Sequence, residues 1–266
     1  MNNYEKKMVE LLRYGKDHGG VVATKAEFEA EGTRTDELLR LMEIAHKADV
    51  GLALKIGGCE AIRDLLEAKQ FGVRYIIAPM VETPYALSKY IAAKQKIFQG
   101  PEQSDVTFLF NVETTTSFEN IEAMLDLAAK RPGCDGVVFG RVDYCGSLGL
   151  DRESIESETV TIAGESVARQ CRARGLQFVV GGAISIDALS NLRRFHSVHL
   201  DRFETRKMVF QASALGAENL PQILRNAVHF ELLWLLNKRD YYGLLHREDQ
   251  TRINMLESRW KVLEQG

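Results

Sequence analysis

Glu113 and Asp143 stand at the ends of two segments, VTFLFNVE (106–113) and GVVFGRVD (136–143), whose nearly unbroken apolar character predicts strands covered on both faces. In the first, Thr107, Leu109, Asn111 and Glu113 share one face, while Val106, Phe108, Phe110 and Val112 share the other. The greasier face suits a layer of helices, so Glu113 points the opposite way. In the second, Val137, Phe139, Arg141 and Asp143 share a face, and glycines at 136, 140, 146 and 149 let backbone approach closely at its end. Two carboxylates with water suit a hard divalent ion, and so few protein ligands leave positions open for a substrate. A 2-oxo acid chelates such an ion through its carboxylate and ketone oxygens, and the ion acts as a Lewis acid when the adjacent C–C bond breaks.

Two further stretches, and the neighbours of the two acids, supply groups for that chemistry. In GLALKIGG (51–58), Leu52, Leu54 and Ile56 form one face and Ala53 and Lys55 the other. A buried lysine needs an anion nearby, and Lys55 adds positive charge where negative charge develops. In GVVATKAEFE (20–29), Val21, Ala23, Lys25, Glu27 and Glu29 share a side. Glu27 or Glu29 is the candidate to exchange the substrate's hydroxyl proton, if a neighbouring anion or burial raises its pKa. Thr114 opens a helix whose backbone N–H groups suit a substrate carboxylate; Arg141 suits a distal carboxylate, phosphate or sugar acid, and Val142 is placed beside it in the substrate-contacting set. Each also admits a structural role: acids after strands cap helices, Lys55 can pair with Glu27, Arg141 can lie at the surface, and the threonines can simply cap.

The elements that must position these groups alternate. A helix from about Tyr4 to Lys16 is followed by the Gly20 strand, a helix over TDELLRLMEIAHKA with Thr35 as its cap, the Lys55 strand, a helix from Glu60 to Lys69, the strand VRYIIAPMVET and a helix begun by Pro84. After the Val106–Gly149 unit, whose helix FENIEAMLDLAAK ends at Arg131-Pro132-Gly133, come helix Ser154–Arg174, strand LQFVVGGAIS and helix Ile186–Phe195. That makes seven clear strands, and the eighth is open: SVHL and RKMVF in SVHLDRFETRKMVF are either two short strands or one strand and its loop. Such alternation implies an α/β fold with a parallel sheet, and this many units favours a closed (β/α)8 TIM barrel over an open sheet, which would carry a GxGxxG turn where IGG stands at 56–58. In a barrel the listed groups converge on one mouth.

Residues 1–217 are expected to form the barrel with its N-terminal helix, and 218–266 a helical extension. Two helices are expected there, PQILRNAVHFELLWLLNKRDYYG and REDQTRINMLESRWKVLEQ; the first is apolar on nearly every side and must be covered, by the barrel or by another subunit of a homo-oligomer. The 266 residues fit one barrel, and a net charge of −3 with no basic cluster among aromatics argues against nucleic acid. No apolar run approaches a membrane span. Cys59, Cys134, Cys145 and Cys171 show no ligand spacing and read as reduced thiols of a cytosolic protein, neither Cys59 nor Cys145 having a base to make it a nucleophile. His199, near a strand end, reads as structural.

At APMVETPYA (78–86), NVETTTSFENIEAML (111–125) and above all CDGVVFGRVDYCGSLG (134–149) the chain resembles the HpcH/HpaI family of 2-oxo-acid aldolases, which includes the citrate lyase β subunit. The resemblance runs from about Gly20 to Leu200 and is absent from the tail. It implies Mg²⁺ or Mn²⁺ on Glu113 and Asp143, and a basic residue on the 2-oxo acid; Lys55 stands where the family usually has arginine, which keeps the charge and loses bidentate geometry. The family's aldolase branch has a Glu-His pair at the end of the strand matching GVVATKAEFE, where this chain has no histidine. The implied activity is carbon–carbon lysis with pyruvate as donor or product and an aldehyde as second substrate. Rival readings are an acyl-CoA lyase of the citrate-lyase type, a Schiff-base aldolase using Lys55, and a non-catalytic binding protein on the same barrel.

Overall fold

Strand residues that alternate with the helix-facing ones make a small core of their own: Ala23, Ala53, Tyr75, Ile77, Leu109, Val138, Val179 and Val209 pack together inside a closed ring of strands. Their partners in alternation, among them Leu52, Leu54, Ile76, Phe108, Phe110, Val137 and Phe139, face outward into the layer of helices. This computed structural model describes residues 1–264.

The chain runs α1 (Asn3–Gly19), β1 (Val21–Glu27), α2 (Thr35–Ala48), β2 (Gly51–Lys55), α3 (Ile62–Gln70), β3 (Tyr75–Ala78), α4 (Pro84–Ile97), the short α5 (Glu102–Asp105), β4 (Thr107–Val112), α6 (Thr115–Glu119), α7 (Ile121–Ala129), β5 (Gly136–Gly140) and α8 (Arg141–Ser147). It continues through a 3-10 turn (Arg152–Glu156), α9 (Glu158–Ala173), β6 (Gln177–Gly181), α10 (Leu189–Val198), β7 (Arg202–Glu204), β8 (Met208–Gln211) and α11 (Leu220–Glu264). Local chemistry starts the helices: Asn2 and Glu5 form a reciprocal capping box on α1, and Thr83 caps α4 ahead of Pro84. At α2 the expectation is shifted by one residue. Thr35 is the first helical residue, and its hydroxyl bonds Glu67 (3.2 Å) instead of capping.

Strands β1 to β7 are parallel neighbours in order, and β8 closes the ring antiparallel to both β7 and β1. The fold is the expected α/β barrel with its last strand reversed. Only Thr205–Lys207 separates β7 from β8, too short for the dozen or more residues a parallel crossover needs, so Arg202–Gln211 folds as a hairpin; SVHL is no strand, its Ser197 and Val198 ending α10. The reversal delivers the chain to the far end of the barrel, and α11 climbs back up the outside.

α11 is one continuous helix of 45 residues, where the sequence predicted two. Gly243 lies inside it, because a lone glycine costs a helix only about 1 kcal/mol and no proline follows. Its first part buries Ile223, Leu224, Ala227, Phe230, Leu233 and Trp234, and packs chiefly along α1, where Ile223 lies against Gly15 and Gly19. Farther along, Asn237 bonds Asn2, Lys238 pairs with Glu37 (2.9 Å) and Tyr242 donates to Glu37 (2.7 Å). Gln265, the last residue of the second predicted helix, lies outside the described residues.

Candidate active site

Glu113 follows β4 directly and is 1 % exposed, with its carboxylate turned to the mouth. One oxygen accepts from the Met80 backbone N–H (2.9 Å), the other from Asn111 Nδ2 (2.6 Å), and the second lies 3.9 Å from Lys55 Nζ. A Cβ at Gly140 would sit 2.7 Å from Glu113 Oε2, so only glycine ends β5 without displacing the acid. Burial raises the Glu113 carboxyl above its ordinary value; Lys55 opposes this and the nearby Asp143 charge adds to it.

Asp143 reaches the same cavity by a route the sequence misread. Had GVVFGRVD run straight as a strand, Asp143 would share the outward face of Val137 and Phe139. Instead β5 stops at Gly140 and α8 begins at Arg141, which turns Val142 and Asp143 into the mouth.

Lys55 ends β2 and pairs with Glu29 (3.2 Å) as well as Glu113. Burial alone would lower its pKa, but Glu113, Glu29 and Glu27 more than offset that and hold it above the ordinary lysine value. The anticipated contact with Glu27 is made by Lys25 instead, at 3.2 Å, with Glu204 of β7 on its other side at 2.7 Å. Burial alone would raise the Glu27 carboxyl; Lys25 and Lys55 pull it below the ordinary range, the opposite of what a general base at neutral pH needs.

A folded-state pKa below the unfolded one means that Glu27 contributes stability above the ordinary glutamate range and loses it as pH falls through the depressed value. Glu27→Gln is expected to cost about 2 kcal/mol at neutral pH, the scale of a hydrogen bond to a charged group. In denaturant unfolding across pH, the gap between wild type and variant should close on the acid side.

Two expected site residues stand apart from the cavity wall. Arg141 is 1 % exposed, with Nη1 donating to both carboxylate oxygens of Glu156 (2.9 and 2.9 Å) and Nη2 to Gly182 O (2.8 Å). Burial lowers its pKa against the opposing pull of Glu156. Thr114 caps α6 through Ser117 N–H and donates its hydroxyl to Glu82 (2.8 Å). The cavity is about 410 Å³. Arg152, Glu204, Arg206 and Glu231 line it too, and sequence reasoning missed them. The cluster RFETRK was a signal for Glu204 and Arg206; nothing marked Arg152 or Glu231, which arrive from a 3-10 turn and from α11. His199 is far from the chemistry, its ring nitrogen on Leu176 O (2.9 Å) ahead of β6. Burial raises the Cys59 and Cys145 thiols.

Whether this wall suits a divalent cation can be tested on its donors. Asn111 Oδ1 is buried with no hydrogen-bond partner, a carbonyl oxygen beside Glu113. With the carboxylates of Glu113 and Asp143 it makes an all-oxygen set of the kind hard cations take. Among the described residues no group of three or more His, Cys, Asp or Glu side chains is arranged to hold a metal, so a bound ion would complete its shell with water and substrate.

The HpcH/HpaI aldolase/citrate lyase family model matches residues 35–197, more than half of the chain and a span that includes both Glu113 and Asp143. The chain belongs to that family. Among solved structures it is similar to an HpcH/HpaI aldolase from Desulfitobacterium hafniense DCB-2, at 16% identity and TM-score 0.61 over 84% of this chain and 88% of that one. An HpcH/HpaI aldolase/citrate lyase family protein from Burkholderia cenocepacia J2315 gives 15% and 0.61 over 91% and 90%. The citrate synthase SbnG gives 14% and 0.60 over 88% and 98%. At such identities these likenesses show the barrel alone. None of the curated proteins is similar enough in sequence to count as a match. Members of the HpcH/HpaI family are lyases, and no helix among the described residues of this one is long and apolar enough to cross a membrane.

Proposed function

We propose that this HpcH/HpaI protein is a divalent-metal-dependent carbon–carbon lyase acting on a 2-oxo acid, with pyruvate as donor or product and an aldehyde as the other substrate. The observation that carries the reading is the meeting of Glu113 and Asp143 at one mouth, with Asn111 Oδ1 unpartnered beside them and Lys55 3.9 Å from Glu113. Glu113, Asp143 and Asn111 would hold Mg²⁺ or Mn²⁺, which supplies Lewis acidity to the oxygens of the 2-oxo acid when bound. Lys55 stabilises negative charge on the substrate oxygens. Val142 forms part of the wall against which the substrate lies. Of the two candidate proton carriers Glu29 is the better placed: it is partly exposed in the cavity and paired with Lys55, whereas Glu27 is locked to Lys25. Distal-anion recognition passes from Arg141 to Arg152, which lines the mouth with no ion pair among the described residues. Thr114 and Arg141 act by positioning α6 and the loop at Gly182. Four free thiols support a cytosolic setting.

The Schiff-base rival needs a lysine whose pKa is lowered, and Lys55 is held up by three carboxylates. The discriminating experiment follows exchange of pyruvate methyl protons with D₂O. Exchange that requires Mg²⁺ or Mn²⁺, stops with EDTA, and leaves Lys55 unlabelled after borohydride treatment is the expected result. A borohydride-dependent mass increase on Lys55, or exchange indifferent to EDTA, overturns the mechanism; no exchange at any metal concentration favours the binding-protein reading.

A further inference from the structure

Beyond Tyr242, α11 leaves the barrel. Every residue from Leu244 to Glu264 is exposed, about 30 Å of helix at 1.5 Å per residue. Along its distal part Ile253 (45%), Leu256 (55%), Trp260 (63%) and Leu263 (75% exposed) recur at three and four, while Met255 and Val262, also exposed, flank that row at c. That is the a/d seam of two heptads, with the β-branched residue at a and leucine at d in the first of them, the combination that favours two parallel strands. The flanking positions decide what it can pair with. Arg252 and Arg259 occupy g, and Glu257 and Glu264 occupy e. In a parallel, in-register pair each g residue faces the e residue five positions on in the other strand, so Arg252 meets Glu257 and Arg259 meets Glu264, on both edges. An antiparallel pair would set arginine against arginine and glutamate against glutamate. Nearer the barrel the seam turns polar, with His246 at a and Asp249 at d, so pairing is confined to the distal two heptads.

We infer that the distal segment of α11, from Arg252 to Glu264, is a homotypic docking element that pairs with the same segment of a second copy of this chain as a parallel, in-register coiled coil.

Cysteine crosslinking in the full-length chain tests both the partner and the orientation. In a Cys59→Ser background, Leu256→Cys and Leu263→Cys, both at d, should each give a disulfide-linked dimer under mild oxidation. Ser258→Cys, at f on the outer face, should give at least tenfold less. All three positions are exposed, so the barrel folds regardless. Combined with Leu256→Cys, Arg252→Glu with Arg259→Glu should abolish crosslinking alone, as should Glu257→Arg with Glu264→Arg, and mixing the two chains should restore it. Absence of crosslinks at d, equal crosslinking at Ser258→Cys, or failure of the mixed chains to recover overturns the inference.

Discussion

Glu113→Gln and Asp143→Asn should each lower turnover by about 10³-fold, on the scale of losing a group that faces developing charge, while leaving the fold intact. The stability half of that expectation follows from the direction of the Glu113 shift. A carboxyl whose folded pKa lies above its unfolded value binds its proton more tightly in the native state, so its ionisation costs stability at neutral pH. Gln removes that cost. Its carbonyl can still accept from Met80 N–H, and Asn111 can rotate its amide to present the unpartnered Oδ1 to the new NH₂ group. The melting temperature of Glu113→Gln should therefore equal or exceed that of wild type in the absence of divalent ions. Mg²⁺ or Mn²⁺ should raise the wild-type value and leave both variants unmoved. Because a cation competes with the Glu113 proton, its apparent affinity should fall as pH drops through the raised carboxyl value. Thermal shift with and without metal, alongside steady-state pyruvate release, reads all of these. Loss of activity with a parallel loss of stability would instead mark the two acids as structural.

Arg141→Ala should do the reverse, destabilising the protein by about 2–3 kcal/mol, the scale of hydrogen bonds to a charged group, since Arg141 is buried and Glu156 only partly so. For a chain of this size each kcal/mol moves the melting temperature by about 2–4 °C. The change removes the donors to the Gly182 and Ala183 carbonyls and leaves the Glu156 carboxylate with Asn191 Nδ2 alone. It also loosens the contact between the start of α8 and the loop after β6, where a Cβ at Gly182 would come within 2.8 Å of Val142 N. Arg141→Lys should recover part of the loss, since it keeps the charge without the fork. Enzyme that remains folded should keep its KM for the 2-oxo acid. A raised KM with an unchanged melting temperature would return Arg141 to the substrate.

The periodicities that made the barrel legible belong to single segments. Leu109, Asn111 and Glu113 point inward because a strand alternates, and that follows from the order of residues within β4 whatever surrounds it. The same reasoning set Ala53 and Lys55 inside β2. It failed where an element ends. Nothing within GVVFGRVD distinguishes a strand that continues from one that gives way to a helix after Gly140, and that turn decides whether Asp143 meets Glu113 or the outer layer.

Residue types, inward faces and the gathering of acids and lysines at strand ends were thus properties of the sequence alone, because each depends on neighbours within a few positions. Tertiary structure alone decided the charge pairing, since Lys25 and Glu204 lie 179 residues apart and meet only when β7 closes toward β1. It also decided that Arg141 braces Glu156 instead of facing the mouth, that β8 reverses, and that Arg152 and Glu231 join the wall. Those outcomes depend on which surfaces packing brings together, and long-range packing leaves no periodic trace in the chain.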